Sequence, residues 1–459
     1  MRRSKAQVEA RVHVIPTIRF EQEQRLTSFA GIVIIQALLQ TLALKQRLWR
    51  CFRHLAKSAA YGLNTMMVWL IVHIMLGFRR LRDRDYYADD PLECRVLGLR
   101  KVPDVSTITR RLAEADKRSV NEVRGANREL VLGRLRQEQL RRITFDFDGS
   151  VLTTRGHAEG TAVGFNKKRK GGRSYYPLFC TVAQTGQFLD FHHRPGNVHD
   201  SNGARQFMLS CADYLRTACP GAQLESRMDF AFFDETILDQ LASEGIDFTA
   251  SVPFERFPEL KALIEARRRW NRIDETWSYA ELRWKPKSWA CQFRMLAIRR
   301  RRARQRKGPL QLDLFEPRDY DYEYKVIVTN KLAEPVQAVL AFHNGRGGQE
   351  GLIGEAKSCA ALEYIPMRRL AANQLYCAAS LMAHNLGREL QMVLKPRASR
   401  NSAKRAALWA FESLGTLRHR LLQRAGRLTF PAGRMTLTMG GNERVRSELL
   451  GYLDAITSR

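Results

Sequence analysis

Between Phe29 and Leu44, and again between Leu63 and Phe78, apolar residues run almost without a break. Gln36 and Gln40 interrupt the first stretch, Asn64 and His73 the second. Each falls short of the ~20 apolar residues that a membrane span needs, so buried helices are expected and no membrane partner. Helical spacing recurs over Gln46–Ala60 and Ser106–Ala115. Ser106 or Thr107 is placed to cap the latter, and Ser28 the helix that follows it. Residues 1 to 140 read as a helical region.

The pattern changes at Ile143. Strand-like runs cover Ile143–Thr153, Tyr175–Ala183 and Phe188–Arg194, and "AQTGQ" between the last two predicts a hairpin. A helix capped by Asp200 or Ser201 runs to Arg216, and "AQLESRMDFAF" reads as a strand. An amphipathic helix from Asp234 is closed by Gly245, and "IDFTASVPF" forms a further strand. Three strands, helix, strand, helix, strand predict an α/β fold, a mixed five-stranded sheet flanked by helices. Residues 255–333 break the alternation with Trp270, Trp277, Trp284, Trp289, the run "RRRRARQRKG" and the strand "YEYKVIVTN". They read as a β-rich insertion with a basic loop. Helices resume at Pro335, a good first-turn residue. The expected organisation is 1–140 helical, 141–254 first part of the core, 255–333 insertion, 334–425 second, helical part, and 426–459 a short mixed tail.

Charge changes the picture. The 459 residues carry a formal net charge of +29, with a pI near 10.3. A surface this basic attracts polyanions over long range, and nucleic acid is the leading partner. Arg79, Arg80, Arg82, Arg84, Arg110, Arg111, Arg141 and Arg142 crowd the helical region, which could dock on duplex DNA or simply present a solvated face. The eight cysteines form no Cys-x-x-Cys and no zinc spacing, which suits reduced, cytoplasmic thiols. The start "MRRSKAQVEARV" lacks an apolar stretch, so no signal peptide is expected.

The chemistry concentrates on carboxylates. In "ITFDFDGSVL" Asp146 and Asp148 share one strand face. Neighbouring buried carboxylates repel and need a cation or a shared proton; hard oxygen ligands suit Mg²⁺. The stretch also imitates the nucleophile of haloacid-dehalogenase phosphatases, or could be a strand ending in a solvated turn. Asp229 ends the fourth strand. In "FHNGRGGQEGLIGEAKS" Arg346, Glu350 and Lys357 share a helix face, so one acid is flanked by two cations.

Together these motifs resemble the DDE transposases, which have an RNase H-like catalytic core. The closer likeness is to the bacterial group named after insertion sequence 1380. It rests on "DFDGS" at Asp148, "GFNKKRKGGRSYYPL" (164–178), "RPGN" (194–197) and the Arg227, Asp229, Phe232 pattern. It rests also on Arg346, Glu350 and Lys357 in a Tyr-Arg-Glu-Lys motif, where His343 stands in the Tyr place. "AANQL" and "AHNL" extend it.

The resemblance implies that Asp148, Asp229 and Glu350 bind two Mg²⁺ ions, Mn²⁺ being a possible substitute, with Asp146 a candidate further ligand. It implies cleavage at transposon ends and 3′-OH strand transfer into target DNA, with or without a hairpin intermediate. The partners implied are double-stranded DNA, at terminal inverted repeats and target, and a second copy of the chain in the synaptic complex. The location implied is the bacterial cytoplasm, at the nucleoid. Arg346, Lys357 and His343 would contact DNA, as would Lys167, Lys168, Arg169, Lys170, Arg173, Asn197, Arg300 and Arg301. The competing function is a transposase-derived DNA-binding protein whose catalysis is unused.

Overall fold

The computed structural model describes residues 18, 20, 25–55, 61–164, 166, 169–199, 202–301, 322–398 and 402–458. Lys167, Lys168, Asp200, Ser201 and most of the basic run after Arg301 lie outside the described residues.

Six helices come first: α1 (Ile32–Thr41), α2 (Leu44–Phe52), α3 (Leu63–Leu76), α4 (Pro91–Leu97), α5 (Val105–Leu112) and α6 (Lys117–Glu138). Helix α3 is apolar on all sides because it is enclosed on all sides, with 12 of its 14 residues buried. Each fully buried Leu, Ile or Met contributes roughly 1.5–3 kcal/mol. Two expected caps are corrected. Asp104, not Ser106 or Thr107, caps α5, and its Oδ1 accepts from Thr107 N at 2.8 Å and Ser106 Oγ at 2.7 Å. A carboxylate outcompetes the hydroxyls for the free N–H groups. Helix α1 starts after Gly31 without a side-chain cap, and the Ser28 amide instead donates to Asp90.

The strands of the principal sheet are β1 (Arg142–Gly149), β2 (Leu178–Val182), β3 (Gln187–His192), β4 (Gln223–Met228), β5 (Asp247–Val252), β6 (Asn271–Arg272), β7 (Trp277–Leu282), β8 (Arg294–Arg301) and β9 (Tyr322–Thr329). The order of the first five across the sheet is 3-2-1-4-5. Strands β1, β4 and β5 are parallel neighbours, and β2 is antiparallel to β1 and β3. Helices α7 (Ala204–Ala218) and α8 (Glu235–Ser243) make the two parallel connections, and Asp234, expected as the first residue of its helix, caps α8. The insertion is not a separate lobe. After α9 (Pro258–Glu265), β9 pairs antiparallel with β5, and β8, β7 and β6 follow outward, so the sheet has nine strands rather than five. The free edge of β5 offers main-chain hydrogen bonds that a β-branched, aromatic strand such as "YEYKVIVT" readily takes.

Helices α10 (Val336–Asn344), α11 (Gly347–Cys359) and α12 (Leu370–Leu394) come next, and the tail holds a helix the sequence reading missed, α13 (Glu443–Thr457). Helix α12 is buried for most of its length and packs on α3. One hydrophobic cluster runs from Phe29 through α3 and α12 to Ile456, so residues on both sides of the expected boundary at 140 share a core. A second cluster lies under the sheet, between β1, β4, β5, α7 and α8. No described helix is long and apolar enough to cross a membrane.

Candidate active site

Strands β1 and β4 pair in parallel from Arg142↔Gln223 to Asp146↔Arg227. Continuing that register by two residues sets Asp148 opposite Asp229. Both are half-buried, at the carboxyl ends of adjoining parallel strands, where an open α/β sheet presents its binding crevice. Asp229 also receives the Ala231 amide on its Oδ1 at 2.9 Å, which fixes the turn leaving β4.

Glu350 stands in the first turn of α11, and that helix is tied to the end of β1 twice. Gln349 Nε2 donates to the Asp146 carbonyl at 2.8 Å, and Lys357 Nζ donates to the Val151 carbonyl at 3.1 Å. The Glu350 carboxylate is exposed and pairs with Arg346 Nη2 at 2.8 Å across one helical turn. The three predicted acids are therefore carried by two neighbouring strand ends and a helix anchored on one of them.

Asp146 is buried and bonded elsewhere. Arg227 grips it with a fork, Nε to Oδ1 at 2.8 Å and Nη2 to Oδ2 at 2.6 Å. Both carboxylate oxygens face a guanidinium, which gives Asp146 its cation without a metal. His343 is likewise corrected as a DNA contact. It is buried, with Nδ1 3.0 Å from Thr249 Oγ1 and Nε2 3.0 Å from Ser251 Oγ. Burial first, then the charges of Lys325, Arg346 and Arg227, push its imidazole well below the usual range, so it is neutral. Its work is to seat α10 on β5.

The basic motifs converge on the same sheet end. Directly after Asp148 the chain forms a small sheet of Leu152–Thr153, Arg173–Tyr175 and Ala162–Val163. Arg169 and Lys170 are exposed on its hairpin. Arg173 is spent partly on Thr161, donating Nε to the hydroxyl at 3.1 Å and Nη2 to the carbonyl. The "RPGN" segment backs this hairpin. A Cβ on Gly164 would stand 1.8 Å from the Gly196 carbonyl oxygen, so the two motifs are coupled by a backbone contact that only glycine permits. Asn197 is exposed beside it. Arg300 and Arg301 are exposed at the outer end of β8, Arg300 lying over Trp277 at 5.5 Å. Of the insertion's tryptophans, Trp284 and Trp289 are core residues.

Sequence reasoning gave no role to Gln349 or Lys325, and named Arg227 only as part of a motif; the contacts of Gln349 and Arg227 are long-range. Lys325 donates to Asn344 Oδ1 at 3.1 Å, and burial, then the Arg346 charge, lower its ammonium to about 8. The only signal was a lysine directly before the apolar run of its strand.

The compact grouping of three carboxylates found among the described residues is not Asp148, Asp229 and Glu350 but Glu225, Asp247 and Glu334. The Lys331 ammonium lies 2.8, 3.2 and 3.0 Å from them, and Arg405 Nε adds a contact to Glu225 at 2.9 Å. Burial disfavours the Lys331 charge, but Glu225, Glu334 and Asp247 raise the pKa above its ordinary value. The cluster is a closed ion network around a lysine rather than a place for a metal.

A family model described as transposase DDE domain group 1 matches residues 17–458. No curated protein matches the chain. Among solved structures, a piggyBac transposase synaptic complex with hairpin DNA is similar at 11% identity and a TM-score of 0.43, over 85% of this chain and 79% of that one. A pre-cleavage Mos1 transpososome gives 11% and 0.17, over 34% and 53% of the two chains. A Mos1 paired-end complex with left transposon end gives 12% and 0.18, over 42% and 60%. These structural likenesses are too distant to argue from; the family match spans nearly the whole sequence.

Proposed function

The chain belongs to the DDE transposase family, and from that premise we propose that it cuts and rejoins DNA as the transposase of a bacterial insertion sequence of the insertion sequence 1380 group. The single observation that supports the reading is the β1–β4 register up to Asp146↔Arg227, whose continuation by two residues would bring Asp148 and Asp229 to one sheet end, with the helix of Glu350 bonded to β1. The strand order 3-2-1-4-5 supports an RNase H-like core.

Asp148, Asp229 and Glu350 would hold two Mg²⁺ ions, with Mn²⁺ as a substitute; all three are hard oxygen donors, as that ion requires. When bound, such ions supply Lewis acidity to the attacking and leaving oxygens of an in-line displacement. The chain's own residues do the rest. Arg346 and Lys357 flank Glu350 on its helix and would hold end-proximal phosphates. Arg169, Lys170 and the other basic residues of 164–173 would track the backbone beside Asp148, with Arg300 and Arg301 farther out. Cleavage at the terminal inverted repeats frees a 3′-OH, and its attack on target DNA is a second displacement with similar charge development, so one site serves both. A homodimer on paired ends follows from the need to cut and join two ends. The site works in the cytoplasm, where the DNA is.

A labelled duplex bearing the terminal repeat, incubated with the protein and Mg²⁺, should be nicked. Asp148→Ala, Asp229→Ala and Glu350→Ala should each lose nicking while still shifting the duplex in a gel. Nicking retained by Glu350→Ala would remove the third acid from the site. Binding without nicking by the wild-type protein would favour the reading in which catalysis is unused.

A further inference from the structure

Arg227 stands on the Asp229 strand and touches the Asp148 strand and α10, the helix that leads into the helix of Glu350. It lies two residues before Asp229, on the same strand face by alternation. Its fork holds Asp146, two residues before Asp148 on the same face of β1. Its remaining nitrogen, Nη1, donates to the Phe342 carbonyl at 3.3 Å and the Lys404 carbonyl at 2.8 Å. Phe342 belongs to α10, and the α10–α11 junction leads directly to Glu350. At that junction a Cβ on Gly345 would stand 2.1 Å from Arg227 Nη1 and 2.2 Å from the Lys404 carbonyl oxygen. The backbone thus closes onto the guanidinium with no room to spare. Both partners of the fork are buried, at 1% and 2% side-chain exposure, so water does not soften the geometry.

The geometry points to Arg227 as the positioning residue of the active site: one guanidinium that sets the spacing between the Asp148 strand, the Asp229 strand and the Glu350 helix. This rests on the proposed function. Arginine suits the role because its planar donors fix two strands and a helix end in one plane, whereas a lysine ammonium offers a single point charge. Nothing in Arg227 reaches the reacting atoms, so its effect passes through the carboxylates alone.

Arg227→Lys and Gly345→Ala test this from opposite sides, the second leaving the ion pair chemically intact. Each folded variant should lose about 10–100-fold in Mg²⁺-supported nicking or in metal affinity, the usual cost of disturbing the partners of metal ligands. Mn²⁺ binding, followed by its electron paramagnetic resonance signal, should weaken, while affinity for the DNA end stays as in the wild type. The loss should be larger with Mg²⁺ than with Mn²⁺, because Mg²⁺ demands near-ideal octahedral geometry. A lesion of stability alone would lower both rates equally, with the folded fraction. Equal losses with the two ions in both variants, or unchanged Mn²⁺ binding, would overturn the positioning role and leave the functional reading intact. A wild-type protein that neither binds Mn²⁺ nor nicks DNA would overturn both.

Discussion

Gln349 reaches from the first turn of α11 to the main-chain carbonyl of Asp146, 203 residues earlier in sequence, at 2.8 Å. A side chain next to one candidate acid is thereby bonded to the backbone of the strand that carries another. Gln349→Leu keeps the size and removes the donor, and the lost hydrogen bond costs about 0.5–1.5 kcal/mol. Nicking by the folded variant should fall by more than that lost stability explains. Chemical denaturation beside a cleavage assay checks this; unchanged turnover would mean that α11 is held by other contacts.

His343 makes the opposite prediction. Its ring is bonded to Thr249 and Ser251 and sealed from solvent. His343→Ala should destabilise the fold by about 2–4 kcal/mol, through a cavity and two unpaired hydroxyls. The affinity of the folded fraction for a DNA end should not change. A selective loss of DNA affinity at unchanged stability would return His343 to the interface.

Lys331 separates the two acidic clusters. Replacing it by methionine leaves Glu225 buried beside Asp247 and Glu334 with less compensation, and breaking such a network costs about 3–5 kcal/mol. The unfolding midpoint should drop accordingly. Metal-dependent nicking by the folded fraction should persist, because that reaction is assigned to other carboxylates. Loss of nicking in proportion to Asp148→Ala, at intact stability, would contradict the assignment.

Glu93 gives a pH signature. Burial, then the charge of Asp90, raise its carboxyl to about 9. In the unfolded chain it ionises above ~4.3. Between those values the unfolded state binds fewer protons than the folded one, so this group's contribution is full below the lower value and fades as pH rises towards the upper. Glu93→Gln should remove that slope. The variant should gain stability over the wild type between pH 5 and pH 8, on the order of 1 kcal/mol or more at the upper end. Parallel denaturation curves across that range would place Glu93 elsewhere.

The strands of the core, the hairpin at "AQTGQ", the helix starting near Asp234 and the buried nature of α3 were legible because each is written locally, in alternation, turn residues or an unbroken apolar run. The attachment of the insertion was not. Nothing in "YEYKVIVT" says whether β9 pairs with β5 or with a sheet of its own, since edge pairing is decided by which main chain arrives. The same limit explains His343. A Tyr-like position on a helix face looks like an interface until the facing strand supplies Thr249 and Ser251. Asp146 stayed open as a further metal ligand because its cation, Arg227, lies 81 residues away. The cap of α5 was missed for a local reason: three candidate caps stand together, and the carboxylate wins.

The core shared by α3 and α12 has a consequence for synthesis. The chain cannot complete its first hydrophobic layer as it leaves the ribosome, because the partner of α3 is encoded about 300 residues later. At ~5–20 residues per second, the most apolar of the described helices waits roughly 15–60 s for its cover. Nascent chains arrested before residue 370 should be cut by protease within α3, and chains released at full length should resist. The yield of working protein is then set as much by whatever shelters that helix during translation as by the stability of the finished fold.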